Sequence, residues 1–311
     1  MGGCQSVRNK YIIGIDGGGT KTLGVLFDFE GNELHRVKEG FSNFSIDEKE
    51  ATDNLSRTIE QLQNKIVDTD YELYIQLGIS GASKIKETTT LERDFEKKFH
   101  AIVNLETDLM IGLYSVSQSP DQSVIMAIGG TGSAVVAKEG NRIKSIGGYG
   151  YLLGDEGSGY HLVIEALRRV IKESEEERPL SELSIGLMKL IGITSHRQLI
   201  SYVYQKNKTE LAQLSRFIAK QSIEGDLVAK ALLENEGKLL AEQIVLAHNN
   251  FIKNNEVVIA LRGTFVNEAP YVKDALKKHL DEHIKYYKIE ETSNEPVVGA
   301  YHLAKAILVK G

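Results

Sequence analysis

Asp16 lies inside YIIGIDGGGTKT, residues 11–22, where an apolar run meets three glycines, a lysine and two threonines. Glycine backbone N–H groups beside a lysine and a hydroxyl are the groups that hold phosphate oxygens. A P-loop has the right gap between Gly14 and Gly19, but Thr20 intervenes before Lys21 and Thr22. A P-loop or a dinucleotide turn must also open a helix. Here the chain continues as TLGVLFDFEGNEL, residues 22–34, rich in Val, Leu and Phe and ending at Gly31-Asn32. That reads as strand, turn, strand. Gly18, Gly19, Thr20 and Lys21 are therefore expected at the tip of a β-hairpin, contacting phosphate. Asp16, at the hairpin mouth, is placed to hold the water shell of Mg²⁺.

The design occurs twice. SVIMAIGGTGSAVVAKEGNRIKSIGG, residues 123–148, again carries an apolar strand into glycines, a second apolar strand, the same Glu-Gly-Asn turn and a third strand. Thr131, Gly132 and Ser133 become a second set of phosphate contacts. A duplicated hairpin implies two similar α/β halves facing each other, with a nucleotide between them gripped from both sides.

Three more polar residues stand out. Asp108 closes the strand AIVNLETD and precedes the helical LMIGLYSVS. A carboxylate there can take the proton of an attacking hydroxyl, and it can equally be a helix N-cap. Asp155, in LLGDEGS, is flanked by glycines that suggest a tight loop presenting its carboxylate to a neutral polyol. Glu156 is as acidic, and the residues alone do not separate the two. Asn43, in GFSNFS, reads by itself as a loop asparagine.

The elements that position these residues follow from patterning. DEKEATDNLSRTIEQLQNKI puts Ala51, Leu55, Ile59, Leu62 and Ile66 on one helical face. ELYIQLGISG reads as a buried strand, with a helix after it around Leu91 and Phe95. Residues 181–253 look helical throughout, an insertion on the second half. EVVIALRG is a late strand, followed by an amphipathic helix through Leu276, Leu280 and Ile284, a short strand at KYYKIEE, and a last helix from Pro296.

The 311 residues suit about two domains and bury ample core. The expected division is a leader at 1–10, one domain at 11–118 joined by the last helix at about 296–311, and a second at 119–295. Thirty-seven basic against 43 acidic residues give a net charge of −6, with no basic patch, so nucleic acid is not an expected partner. No apolar run approaches the ~20 residues that cross a bilayer, so no membrane partner is expected either. Cys4 is the single cysteine. It excludes an internal disulfide and a cysteine zinc site, and fits a reducing cytoplasm.

Taken together, GIDGGGTKT, FSNF, ETD, GGTGS and GGYGYLLGDEGSGY (residues 147–160) resemble the actin-like ATPase superfamily of sugar kinases, Hsp70 and actin. Within it, the chain is most similar to the BadF/BadG/BcrA/BcrD group, which includes N-acetylglucosamine kinases. The resemblance runs from about residue 11 to the C-terminus, and GGYGYLLGDEGSGY is its most specific piece. It implies an α/β fold of two actin-like (ribonuclease H-like) domains around a nucleotide cleft, the second with an all-helical insertion. It implies ATP and Mg²⁺, an amino sugar as the small-molecule partner, and a homodimer. Asp108 becomes the catalytic base; Asn43, Asp108, Tyr149, Gly150 and Asp155 contact the sugar; Gly263 and Thr264 form the adenosine-binding turn. Two departures matter. Animal N-acetylglucosamine kinases have Trp where Tyr149 stands, which leaves the exact sugar open. The adenosine turn usually has two glycines, and here Arg262 precedes Gly263, free to stack on adenine or to face solvent.

The leading expectation is phosphate transfer from ATP to the 6-hydroxyl of N-acetyl-D-glucosamine, with glucosamine and N-acetylmuramic acid as other substrates. An ATPase that activates a CoA-ester reductase would need cluster-binding cysteines, which one cysteine does not supply. A non-catalytic sugar sensor of the other sugar-kinase group would add a helix-turn-helix and often a cysteine zinc motif, neither of which is expected here. HLDEH, residues 279–283, matches an inverted zinc-protease pattern, but the sequence shows no third ligand. MGGCQS fits a myristoylation pattern at Gly2, and reads more simply as a disordered or expression-derived leader.

Overall fold

A computed structural model describes residues 8–44, 46–82, 88–116, 122–254, 256–290 and 294–308. The MGGCQS leader lies outside them. The chain divides into two units, residues 1–120 with 292–311, and residues 121–291.

The first unit is built on β1 (Asn9–Gly17), β2 (Thr22–Asp28), β3 (Glu33–Glu39), β4 (Tyr71–Ile79) and β5 (Ile102–Thr107). Their order is β3-β2-β1-β4-β5. The β1–β2 and β2–β3 pairs are antiparallel hairpins, and β1, β4 and β5 run parallel. Alternation along β1 divides the core. Ile13 and Ile15 face α1 (Glu48–Gln63) and α2 (Thr88–Phe99), packing with Leu55, Ile59, Leu62, Phe95 and Phe99. Ile12 faces the opposite side, with Val297 and Tyr301 of α12 (Pro296–Leu308). The helix after β5, α3 (Asp108–Val116), packs on α12 at Gly299, where any Cβ would overlap the carbonyl oxygen of Ile111.

The second unit repeats that sheet. It comprises β6 (Val124–Gly129), β7 (Ser133–Glu139), β8 (Arg142–Gly147), β9 (Val257–Arg262) and β10 (Tyr287–Ile289), in the order β10-β9-β6-β7-β8. Again the first three strands form two antiparallel hairpins, and the last two add in parallel. Between β8 and β9 the chain is helical: α4 (Gly159–Glu175), α5 (Glu182–Ile191), α6 (Gln198–Tyr204), α7 (Lys208–Ala212), α8 (Ser215–Ile223) and α9 (Leu227–Phe251). After β9 come α10 (Thr264–Glu268) and α11 (Val272–His283). The long α9 lies against β6, β7 and β8 and buries Leu233, Leu240 and Ile244. Among the described residues, no helix is long and apolar enough to cross a membrane.

Candidate functional site

In the first unit, the chemistry gathers at the carboxyl ends of the parallel strands. Strand register aligns Asp16 with Gly78 and Glu106, and Gly17 with Ile79 and Thr107. Asp16 and Asp108 therefore leave the sheet at the same edge, where open parallel sheets present ligand-binding groups. The surroundings act on the Asp16 carboxylate. Burial first, and the Asp108 carboxylate second, push the Asp16 carboxyl from its usual 3.8 up to about 6; Lys21 opposes the rise and Glu295 adds to it. A pair of oxygen donors with this repulsion is the donor set a hard divalent cation relieves, so the residues fit Mg²⁺.

Asp108 is the first residue of α3, but the helix does not depend on it for capping. The Thr107 hydroxyl accepts the Met110 N–H at 3.4 Å, the usual N-cap geometry, while Asp108 accepts only the adjacent Leu109 N–H at 3.0 Å.

The first glycine turn is closed by Gly18 N–H donating to the Lys21 carbonyl at 3.0 Å. Gly19, Thr20 and Lys21 are exposed at its tip. Ser42 N–H donates to the Gly18 carbonyl at 3.0 Å, and the Thr22 hydroxyl reaches Gly40 O at 2.7 Å and Ser42 Oγ at 2.9 Å. This lacing brings half-buried Asn43 beside Gly19.

In the second unit, the glycine turn, the Asp155 loop and the turn after β9 are knitted together. Gly130 N–H donates to Gly132 O at 2.9 Å, Gly159 N–H to Gly130 O at 2.9 Å, and Tyr160 N–H to Thr131 O at 3.3 Å. Gly263, at φ 96°, lies so close that a Cβ would come within 2.5 Å of Gly129 O. Thr131 is exposed, whereas Ser133 turns inward: its N–H donates to Asp155 Oδ1 at 3.2 Å and its hydroxyl to Glu156 O at 2.7 Å. Asp155 is 4% exposed, adopts a left-handed φ of 71°, and meets Lys208 Nζ at 2.6 Å through Oδ2. Glu156 is less buried and contributes its carbonyl, which also accepts from Gln243 Nε2 at 3.0 Å. Tyr149 and Gly150 lie on the preceding loop, Gly150 at φ 81° and the Tyr149 ring 73% exposed.

Beside the turn opens a cavity of about 650 Å³, a size suited to a nucleoside. Gly130, Thr131, Gly159 and Thr264 form its inner side; Ala212, Ala219, Phe265 and Pro270 give it apolar walls. Arg262 takes neither place the sequence leaves open to it. Its guanidinium pairs with Glu290 at 2.6 Å and is largely buried.

Several supporting residues are invisible to motif reading. Glu236 of α9 is fully buried, accepts the Gly157 N–H at 2.8 Å and meets His161 Nδ1 at 2.8 Å. Burial alone would push the His161 imidazole down, but the bond to Glu236, with Glu165 and Glu156 nearby, outweighs it and holds the pKa above its usual value. The available signal was a glutamate at a core position of an otherwise apolar helix face. Lys208 gave no signal. On α11, Glu282 joins His279 and His283 as the third potential metal ligand that the sequence did not show, with all three ligand atoms within 4.8 Å of one another. His283 Nδ1 is bonded to His279 O at 2.8 Å, and the group is outside the site described above.

The sequence profile of the BadF/BadG/BcrA/BcrD ATPase family matches residues 13–304. The chain is 29% identical over 309 residues to an N-acetylmuramic acid/N-acetylglucosamine kinase of Clostridium acetobutylicum, covering 96% of this chain and 99% of the relative. It is also 29% identical over 316 residues to an N-acetyl-D-glucosamine kinase of Dictyostelium discoideum, covering 96% and 98%. A solved candidate N-acetylglucosamine kinase from Chromobacterium violaceum superposes with a TM-score of 0.66 at 22% identity, over 94% of this chain and 98% of that one, and so shares the fold.

Proposed function

The chain belongs to the BadF/BadG/BcrA/BcrD ATPase family, and from that premise we propose that it is an ATP-dependent sugar kinase that phosphorylates the 6-hydroxyl of an amino sugar, N-acetyl-D-glucosamine first. Asp108 accepts the proton of the attacking hydroxyl and holds its oxygen toward the γ-phosphorus. Asp16 would hold Mg²⁺ through its water shell, and the ion would supply positive charge to offset that of the phosphates. Gly19, Thr20 and Lys21 at the exposed tip of the first glycine turn, and Thr131 and Gly132 of the second, donate to phosphate oxygens, whereas the Gly18 N–H is taken by the Lys21 carbonyl and closes the turn. Thr264 borders the nucleoside in the 650 Å³ cavity, and Gly263, packed on Gly129, sets the turn that carries it. Asn43 and Asp155 hydrogen-bond sugar hydroxyls, with Tyr149 and Gly150 bordering the same ligand. The working molecule is a cytoplasmic homodimer, expected at twice the 34.5 kDa of one chain in light scattering.

The observation that carries this reading is the pair Asp16 and Asp108, brought to one sheet edge, where burial first and the Asp108 carboxylate second raise the Asp16 pKa to about 6. Activators of CoA-ester reductases in the same family need cluster ligands that a single cysteine does not provide. N-Acetylmuramic acid is the second substrate, supported by the Clostridium acetobutylicum relative, which is named for both sugars.

The test is ADP release from Mg-ATP with N-acetylglucosamine, N-acetylmuramic acid, glucosamine, N-acetylmannosamine and glucose, with Asp108→Asn alongside. Turnover of one amino sugar, lost in Asp108→Asn, is the expected result. Slow hydrolysis of ATP indifferent to every sugar would exclude a kinase.

A further inference from the structure

Asp155 is unusual among the polar residues of the second unit. Its backbone sits at a φ of 71°, in the left-handed region that aspartate enters more readily than most non-glycine residues. Its carboxylate is almost fully buried at 4% exposure, yet among the described residues no backbone N–H reaches Oδ2. The partner of that oxygen is Lys208 Nζ at 2.6 Å.

Lys208 is not a loose surface lysine that happens to reach a carboxylate. It is the first residue of α7, directly behind a capping box in which Asn207 Oδ1 accepts Glu210 N–H and Glu210 accepts Asn207 N–H, both at 2.9 Å. Its neighbour Thr209, and Ala212 one turn on, line the nucleotide cavity. The ammonium lies directly over Gly132, where a Cβ would overlap Nζ and come within 2.8 Å of Asp155 Oδ2. The second glycine turn thus leaves room for this ion pair as well as for a ligand.

The geometry points to Lys208 as the positioning residue for sugar recognition: its ammonium is the counter-charge that holds the buried Asp155 carboxylate in the orientation that meets a sugar hydroxyl. The inference rests on the reading of Asp155 as a sugar ligand and deepens it. A carboxylate buried without its cation must be neutralised or turn toward water, and in either case loses the acceptor a hydroxyl needs. Lysine suits the task because its single charged tip on a flexible stem occupies one side of the carboxylate and leaves other lone pairs free, whereas a bidentate arginine would cover both oxygens.

The experiment compares wild type, Lys208→Met, Lys208→Gln, Lys208→Arg and Asp155→Asn by calorimetric titration of the full chain. N-Acetyl-D-glucosamine is titrated in the presence of Mg-ADP, and Mg-ADP is titrated alone. Steady-state kinetics accompany the titrations. Lys208→Met and Lys208→Gln are expected to weaken sugar binding by at least about ten-fold, as unpairing a buried charge does, while leaving the Mg-ADP Kd within about two-fold. Sugar KM should rise more than kcat falls, and Lys208→Arg should recover only part of the sugar affinity. Unchanged sugar affinity in Lys208→Met and Lys208→Gln, beside a clear loss in Asp155→Asn, overturns the role of Lys208 and leaves the sugar site standing. Equal losses of sugar and Mg-ADP affinity also overturn it and make Lys208 a phosphate ligand or a fold element. Wild-type sugar affinity in Asp155→Asn, or no sugar binding by wild type, removes the sugar-site reading itself and this inference with it.

Discussion

At the residue scale, Asp16 and Asp108 should differ in what their substitution does to stability. Asp108→Asn keeps shape and removes the proposed proton acceptor, so kcat is expected to fall by roughly 10²–10⁴-fold with sugar and nucleotide Kd little changed, the usual weight of a general base. Steady-state kinetics beside equilibrium titration separate the two quantities. Asp16→Asn should also abolish turnover but stabilise the protein. The Asp16 pKa rises from 3.8 in the unfolded chain to about 6 in the fold, so the native state holds this proton more tightly. Stability from this group is therefore present at low pH and is lost as pH rises from about 4 through about 6. At neutral pH the ionised side chain costs up to about 3 kcal/mol, which asparagine removes. Denaturant unfolding of metal-free, nucleotide-free protein at pH 5 and pH 7.5 checks this. An Asp16→Asn variant less stable than wild type at pH 7.5 would exclude the strained-carboxylate picture.

At the element scale, α9 is what holds the Asp155 loop. Glu236 fixes Gly157 and His161, and Gln243 fixes Glu156. Glu236→Ala leaves an N–H and an imidazole buried without a partner and is expected to cost about 3–5 kcal/mol, the range for breaking one side of a buried pair. The pair also predicts a pH dependence. Because the His161 pKa is raised in the fold, its contribution is full below the unfolded value near 6.5 and is lost as pH rises through the folded value. Glu236→Gln should flatten the fall in melting temperature over that window. In the first unit, Gly299→Ala should cost about 3 kcal/mol or more in denaturant unfolding, since a Cβ cannot share space with the Ile111 carbonyl and α12 must lift from α3.

At the scale of the whole molecule, one sheet topology is used twice for different work. The first unit supplies Asp16, Asp108 and the lysine-bearing glycine turn; the second supplies the 650 Å³ cavity proposed for the nucleotide and the paired Asp155. Ala219→Trp, which fills the cavity wall, is expected to weaken Mg-ADP binding by at least about ten-fold. Sugar KM at saturating ATP should stay near wild type. Loss of both affinities together would show that the cavity does not serve the nucleotide alone.

What the sequence determined by itself is the fold class, the repeated glycine hairpins and the family. These depend on contacts close along the chain. A β-hairpin is legible because glycine, strand and turn are neighbours, and the helical faces because their period is local. The tertiary structure decided the rest. Thr107, not Asp108, has the cap geometry of α3; Ser133 turns inward to the Asp155 loop; Arg262 pairs with Glu290; and Lys208 and Glu236 serve residues far away in sequence, 75 and 79 positions in the case of Glu236 with His161 and Gly157. A buried charge chooses its partner by proximity in the folded core, where desolvation makes the choice compulsory. Neither composition nor spacing records which distant side chain will be there.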